Sequence, residues 1–294
     1  MRSARGRWLL AALFVASLPL VNPYLRGDGN GYYAYVRSIV IDHDLDFENE
    51  FRHGDPLFRE VYFDEQGVLH PWMRSATGHV VNQWAVGPSM LWLPFFLCAH
   101  LAVEASNLLG ASLPADGFSA PYRWCCAAGT AFYGWLAIVL AFSSAARATG
   151  SRAALMAALG IWFASSLPVY MYFLPFHVHA LSAFAVAVFV WYWLRAQPFG
   201  LDWRRWIRWG LMAGLMTAVY YLNAIVAAIA LVELGSAGRA AGPRRGKSVV
   251  TAAAAFAAGW FVAMAPHFAV KWILHGSPLT TGYEDEFFWT TPRI

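Results

Sequence analysis

Apolar runs long enough to fill a bilayer recur along this chain, separated mostly by short turns, several of them Arg-rich, and interrupted by one long polar segment. The runs fall at about residues 8–22, 90–109, 124–145, 153–173, 180–194, 207–234 and 249–274. A helix needs about 20 apolar residues to cross a hydrocarbon core of about 30 Å. The pattern therefore predicts an all-α polytopic membrane protein, with residues 1–294 as a single transmembrane domain. The first run follows Arg2, Arg5 and Arg7 as a signal peptide would, but no small-residue cleavage site ends it. It is read as a retained first span.

The polar segment, residues 23–88, is predicted as a long first extracytoplasmic loop, and it holds ten of the seventeen acids. Within it Tyr32, Tyr35, Val36 and Ile39 share a helical face, which predicts a short interfacial helix over residues 31–41. Short basic segments set the orientation. The amino terminus, residues 195–208 and the turn with Arg239, Arg244, Arg245 and Lys247 should face the cytoplasm, leaving the acidic loop and the tail 275–294 outside. The run 207–234 then has basic segments at both ends, so it should break near Tyr220–Asn223 and return to its own side. Arg147 and Arg152 also look cytoplasmic, which requires one more run to re-enter. The run 90–109, with Pro94 and Glu104 inside it and Pro88 just before it, is the favoured one.

Composition narrows the classes. The chain is 59% hydrophobic and 13% charged with mean hydropathy +0.45, values of a membrane protein. The net charge of +4 comes mostly from Arg with no basic stripe carrying interleaved stacking residues, so nucleic acid is not an expected partner. Cys98, Cys125 and Cys126 lie in apolar surroundings and are read as structural.

Acids just outside a membrane segment are costly to keep there and mark function. Asp28, in a Gly/Asn-rich turn, is either a helix N-cap or a general base toward a hydroxyl; Asn30 could serve as the cap instead. Asp42, Asp44 and Asp46 recur at every second position, followed by Glu48 and Glu50. They suit a divalent cation such as Mg or Mn, substrate positioning, or a merely solvated acidic turn. His70, Arg74, His79, Asn82 and Gln83 lead into the next run and are candidates for phosphate or sugar hydroxyls. His177 and His179 stand at the mouth of a helix; an i, i+2 pair does not share a helical face. Gly210 and Gly214 form a GxxxG read as a packing motif.

Four stretches carry a resemblance: GDGNGYYAYVRSIVIDHDLDFENEF, TGHVVNQWAVGPSMLWLPFF, PFHVHALSAFAVAVFVWYW and HGSPLTTGY. Together they resemble the GT-C-type membrane glycosyltransferases, specifically bacterial relatives of the aminoarabinose and protein-mannosyl transferases. The resemblance implies a GT-C-like helix bundle in the inner membrane, active on its extracytoplasmic face. It implies a polyprenyl-phosphate-linked sugar as donor, a glycan, lipid or protein as acceptor, and inversion at the anomeric carbon. Asp28 becomes the catalytic base, and Asp42, Asp44 and Asp46 become metal or positioning residues. Tyr32, Arg74, His79, Gln83, His177 and His179 become donor phosphate or sugar contacts. Two departures stand out: the family's usual second acid is here Gly29, and its members continue through further helices, so the chain reads as a shortened relative. The rival expectation is a carrier or assembly protein that kept the fold and lost the chemistry.

Overall fold

The structure, a computed structural model, describes residues 2–242, 246–280 and 282. Its elements are helical throughout, and among the described residues extended pairing is confined to two isolated bridges, Phe63 with Leu69 and Arg74 with Val80. Four helices are long and apolar enough to cross a membrane: Gly87–Leu108, Ala120–Thr149, Tyr221–Ala241 and Gly246–His275. Such helices satisfy every backbone N–H and C=O internally, which hydrocarbon demands. The coarse expectation of an all-α membrane protein therefore holds.

Helix α1 (Arg2–Ser17) runs antiparallel to α6 (Ala120–Thr149). Gly6 lies against Phe142, the Trp135 indole donates to Leu10 O at 3.2 Å, and Phe14 packs on Phe132. Helix α7 (Ser151–Phe163) gives way to a π-turn (Val169–Phe173). That turn meets the end of α1, where Asn22 N–H donates to Tyr172 O at 2.6 Å. The run expected over 153–173 is thus interrupted around Ser165, Ser166 and Pro168. Helix α8 (His179–Arg195) follows.

The run over 207–234 breaks as its charge pattern predicted. Helix α9 (Trp203–Val219) ends at Tyr220, whose backbone is extended, and a 3₁₀ segment (Tyr221–Ala227) leads into α10 (Ala228–Ala241). A helix end inside an apolar bundle leaves carbonyls unpaired. Asn223 braces this one: its side-chain amide donates at 3.0 Å to Met216 O, which also accepts the Tyr220 N–H, and its side-chain carbonyl accepts from Ser182 Oγ at 3.0 Å. Of the basic turn that follows, Arg244 and Arg245 lie outside the described residues. Helix α11 (Gly246–His275) then packs along α9. Gly210 and Gly214 face the backbone of Phe256 and Trp260 so closely that a β-carbon at either would clash. The GxxxG is a packing motif.

The polar segment is a folded cap. It contains α2 (Asp28–Arg37), a π-turn (Ser38–Asp42), α3 (Glu48–Arg52) and α4 (Pro56–Tyr62) around a core of Phe47, Phe51, Phe58, Tyr62 and Trp84. Helix α2 does not lie flat on a surface as its amphipathic spacing predicted. Every residue from Gly29 to Ser38 is buried, because the cap and α5 (Gly87–Leu108) close over the face that would have met solvent. Helix α5 itself leaves from and returns to α2. Ser89 Oγ donates to Tyr32 O at 2.5 Å near its start, and past its end Gly117 O accepts from Tyr33 Oη at 2.6 Å. Both of its connections therefore contact α2. The other end of the bundle gathers Arg7, Arg147 and Arg195 around one cavity.

Candidate functional site

Asp28 opens α2, yet it is not the cap. The N-cap is Gly27, at φ +54, with no side-chain capping bond, and the Asp55 carboxylate, which caps α4, reaches across to this turn. Asp55 Oδ2 accepts from Gly27 N at 2.7 Å and from the Asn30 amide at 2.9 Å, while Oδ1 accepts from Phe58 N at 3.4 Å. Burial works to raise the Asp55 carboxyl, but these donors outweigh it and hold the group below the usual aspartate range. Asn30, the alternative cap foreseen from sequence, is instead a donor in this network. Asp28 is left exposed, with no hydrogen bond or ion pair among the described residues.

What Asp28 does have is a pair of histidines. Its charge acts on both His177 and His179. A β-carbon on Gly27 would stand 3.7 Å from His177 Nε2, and one on Gly29 would stand 2.7 Å from Phe176 Cβ. The turn before α2 is thus pressed onto the 174–178 turn, and Gly29 has no room for the second acid of the GT-C pattern. His177 precedes α8 and His179 begins it, so the two are not bound by helical spacing. Both rings meet Tyr170, at 6.1 Å and 4.2 Å between centroids, and His179 also meets Tyr220 at 6.0 Å. Burial holds the His177 imidazole below its ordinary 6.5; Asp28 opposes the shift, and His179 and Arg26 add to it. The ring is neutral at neutral pH, able to donate from one nitrogen and accept at the other.

The acidic run lies elsewhere. Ten residues of helix place Arg37 about 13 Å from Asp28. Arg37, only 6% exposed, holds Asp42 and Glu50 and donates from Nε to Asp116 O at 2.9 Å. Asn49 donates to Asp42 at 2.6 Å. Asp44 accepts from Ser38 Oγ at 2.8 Å, and Asp46 accepts from Glu48 N at 3.2 Å. Burial pushes the Glu50 carboxyl up to about 7 against the pull of Arg37, and its Oε2 has no partner. These carboxylates turn to different protein donors, yet Asp42, Asp44, Asp46 and Glu48 line one open cavity of about 310 Å³ together with Asn49 and Arg52. Among the described residues no three His, Cys, Asp or Glu side chains form a ligand set for a metal.

The remaining candidates are dispersed. Arg74 pairs with Glu48 at 2.7 Å, and His79 Nδ1 lies 3.1 Å from Thr77 Oγ1. Tyr32 is buried against Trp84. Gln83 meets Gly282, where a β-carbon would come within 2.9 Å of its Cα. Asn82 is a structural hub: its side-chain amide donates to Gly31 O at 3.0 Å, and its backbone carbonyl accepts from Tyr35 Oη at 2.9 Å and Lys271 Nζ at 2.7 Å. Most of the tail that carries part of the HGSPLTTGY stretch lies outside the described residues. Arg26, Tyr170, Tyr220 and Asp55 were not foreseen as site residues. Only Arg26 carried a signal, two positions before Asp28.

No known protein family, no curated protein and no solved structure matches the chain.

Proposed function

We propose that the chain is a membrane glycosyltransferase. It moves a sugar from a polyprenyl-phosphate donor to a hydroxyl of an extracytoplasmic glycan, lipid or protein. The single observation that carries this is the state of Asp28: a carboxylate left free by Asp55 and held beside two histidines at the edge of an apolar bundle. Glu60 and Glu65 are also unengaged among the described residues, but they lie on the exposed rim of the cap.

Asp28 accepts the proton of the acceptor hydroxyl as its oxygen attacks the anomeric carbon from the face opposite the phosphate. One C–O bond forms, the bond to the phosphate oxygen breaks, and the configuration inverts. Polyprenyl phosphate leaves carrying the electron pair. His177, His179 and the Arg26 cation supply donors and positive charge where that charge grows. The positive-inside rule puts the Arg7, Arg147 and Arg195 end in the cytoplasm and Asp28 outside. No step runs through a cation.

The rival is a carrier, and the broken α9–α10 run, braced by Asn223, favours it specifically. The test is to incubate the purified chain with polyprenyl-phosphate sugars and hydroxyl acceptors, then separate the products. Inverted glycoside with an equal yield of polyprenyl phosphate supports transfer. Movement of intact donor across vesicles without product supports the carrier and overturns the proposal.

A further inference from the structure

At the end of the bundle remote from Asp28, a cavity of about 490 Å³ is lined by Arg7, Arg147, Arg195, Ser143, Ser151 and Trp191, among others. It lies at the far end of α8, about 25 Å along the helix from His179, and so is a different site. We infer that this cavity binds a phosphate group, presented by an anionic lipid or free in solution.

The three guanidinium groups come from three helices: Arg7 from α1, Arg147 from the last turn of α6 and Arg195 from the last turn of α8. Helix dipoles account for two of them, since cations favour helix C-termini. They do not account for Arg7, which stands in the second turn of α1, beyond the reach of either end of its dipole. None of the three pairs with a carboxylate among the described residues. The acids at this end are taken: Asp202 caps α9 through Arg204 N, and Glu233 accepts from the Trp193 indole at 2.8 Å. Three like charges around one cavity repel each other, and an anion between them removes that cost.

The other groups suit the same ligand. The hydroxyls of Ser143 and Ser151 make no hydrogen bond among the described residues and are free to donate. Ser151 begins α7, whose N-cap, Gly150, has no side-chain capping bond, so its first N–H groups are open as well. The Arg195 guanidinium stands 5.6 Å from the centre of the Trp191 ring, an aromatic placement typical of headgroup level. Forked guanidinium donors match phosphate oxygens two at a time. Basic pockets between apolar helices are where phosphate headgroups dock.

The test uses the full chain in neutral-detergent micelles. Its unfolding midpoint is followed while phosphatidylglycerol, net-neutral phosphatidylcholine or inorganic phosphate is added. The expected result is a saturable rise with phosphatidylglycerol and none with phosphatidylcholine. A rise with inorganic phosphate as well makes free phosphate a ligand of the same site. Arg147→Gln or Arg195→Gln should weaken the apparent affinity about fivefold each. Arg195→Lys, which keeps the charge but loses the fork, should weaken it less. Arg208→Gln, which removes an exposed cation from α9 outside the cavity, should leave it unchanged. The lined positions are exposed, so the variants should fold, and circular dichroism checks that they do. No saturable rise with either phosphate carrier overturns the inference. So does a rise that Arg208→Gln reduces as much as Arg147→Gln.

Discussion

The two ends of α2 carry the same kind of side chain in opposite states. At its start Asp28 is exposed and unengaged, beside histidines. At its end Asp42 and Glu50 converge on Arg37, and Glu50 is only 4% exposed. Asp42, bound by both Arg37 and Asn49, has its charge already compensated and cannot easily take a proton from a substrate. Glu50 keeps one buried oxygen without a partner and a carboxyl pushed up to about 7, out of reach of solvent. The density of acids is therefore a poor guide to chemistry. In this cap Asp42 and Glu50 hold the fold around Arg37, and Asp28 is left available beside the histidines.

The largest expected effect on the fold comes from Arg37→Ala. Removing one member of a buried ion pair leaves uncompensated charge, at a cost of about 3–5 kcal/mol. The unfolding midpoint in detergent should collapse; a change of a few degrees would mean that the α2 end is not held as described. Next is Gly29→Asp, which restores the acid of the GT-C pattern. Its β-carbon would meet Phe176 Cβ at 2.7 Å, so a loss of about 1–3 kcal/mol is expected, with no gain in transfer. A stable, more active Gly29→Asp protein would break the comparison. Asp55→Ala removes the N-cap of α4 and its bonds to Gly27 and Asn30, and should cost about 1 kcal/mol. Its effect on turnover should exceed that of Asp44→Asn, because Asp55 fixes the turn that carries Asp28 whereas Asp44 does not.

The smallest effects are those of pH, and the two ends should respond in opposite senses. His177 titrates below its unfolded value of 6.5, so its contribution is complete above that pH and is lost as pH falls further. Glu50 titrates at about 7 in the fold against 4.5 unfolded, so its contribution is complete below 4.5 and is lost as pH rises through 7. Unfolding curves of wild type, His177→Asn and Glu50→Gln across pH 4–8 should show each variant flattening one limb.

How much of this was legible in the sequence follows from how local each signal is. The break at Tyr220–Asn223 was readable, because basic segments at both ends of one long run do not suit a single uninterrupted span. The packing role of Gly210 and Gly214 was readable from their spacing. The burial of α2 was not: its stripe of Tyr and Val describes one face, and nothing local states that the cap will cover the other. Asp42, Asp44 and Asp46 recur at every second position, but nothing local states which donors they meet: Asp42 turns to Arg37 and Asn49, Asp44 to Ser38 and Asp46 to the Glu48 N–H around one open cavity. Asp28 could be singled out as a candidate, whereas Tyr170 and Tyr220, which meet the histidine rings, come from distant parts of the chain that only tertiary packing brings near.

The most direct test of the central claim is single-turnover transfer of labelled sugar from polyprenyl-phosphate donors, with wild type, Asp28→Asn and Asp44→Asn run side by side. Wild type should form product and Asp44→Asn should stay within about threefold of it. Asp28→Asn, equally well folded, should be slower by about 10²–10⁴-fold, the usual worth of a general base. Full transfer by a folded Asp28→Asn protein, or transfer lost only in Asp44→Asn, would contradict the account.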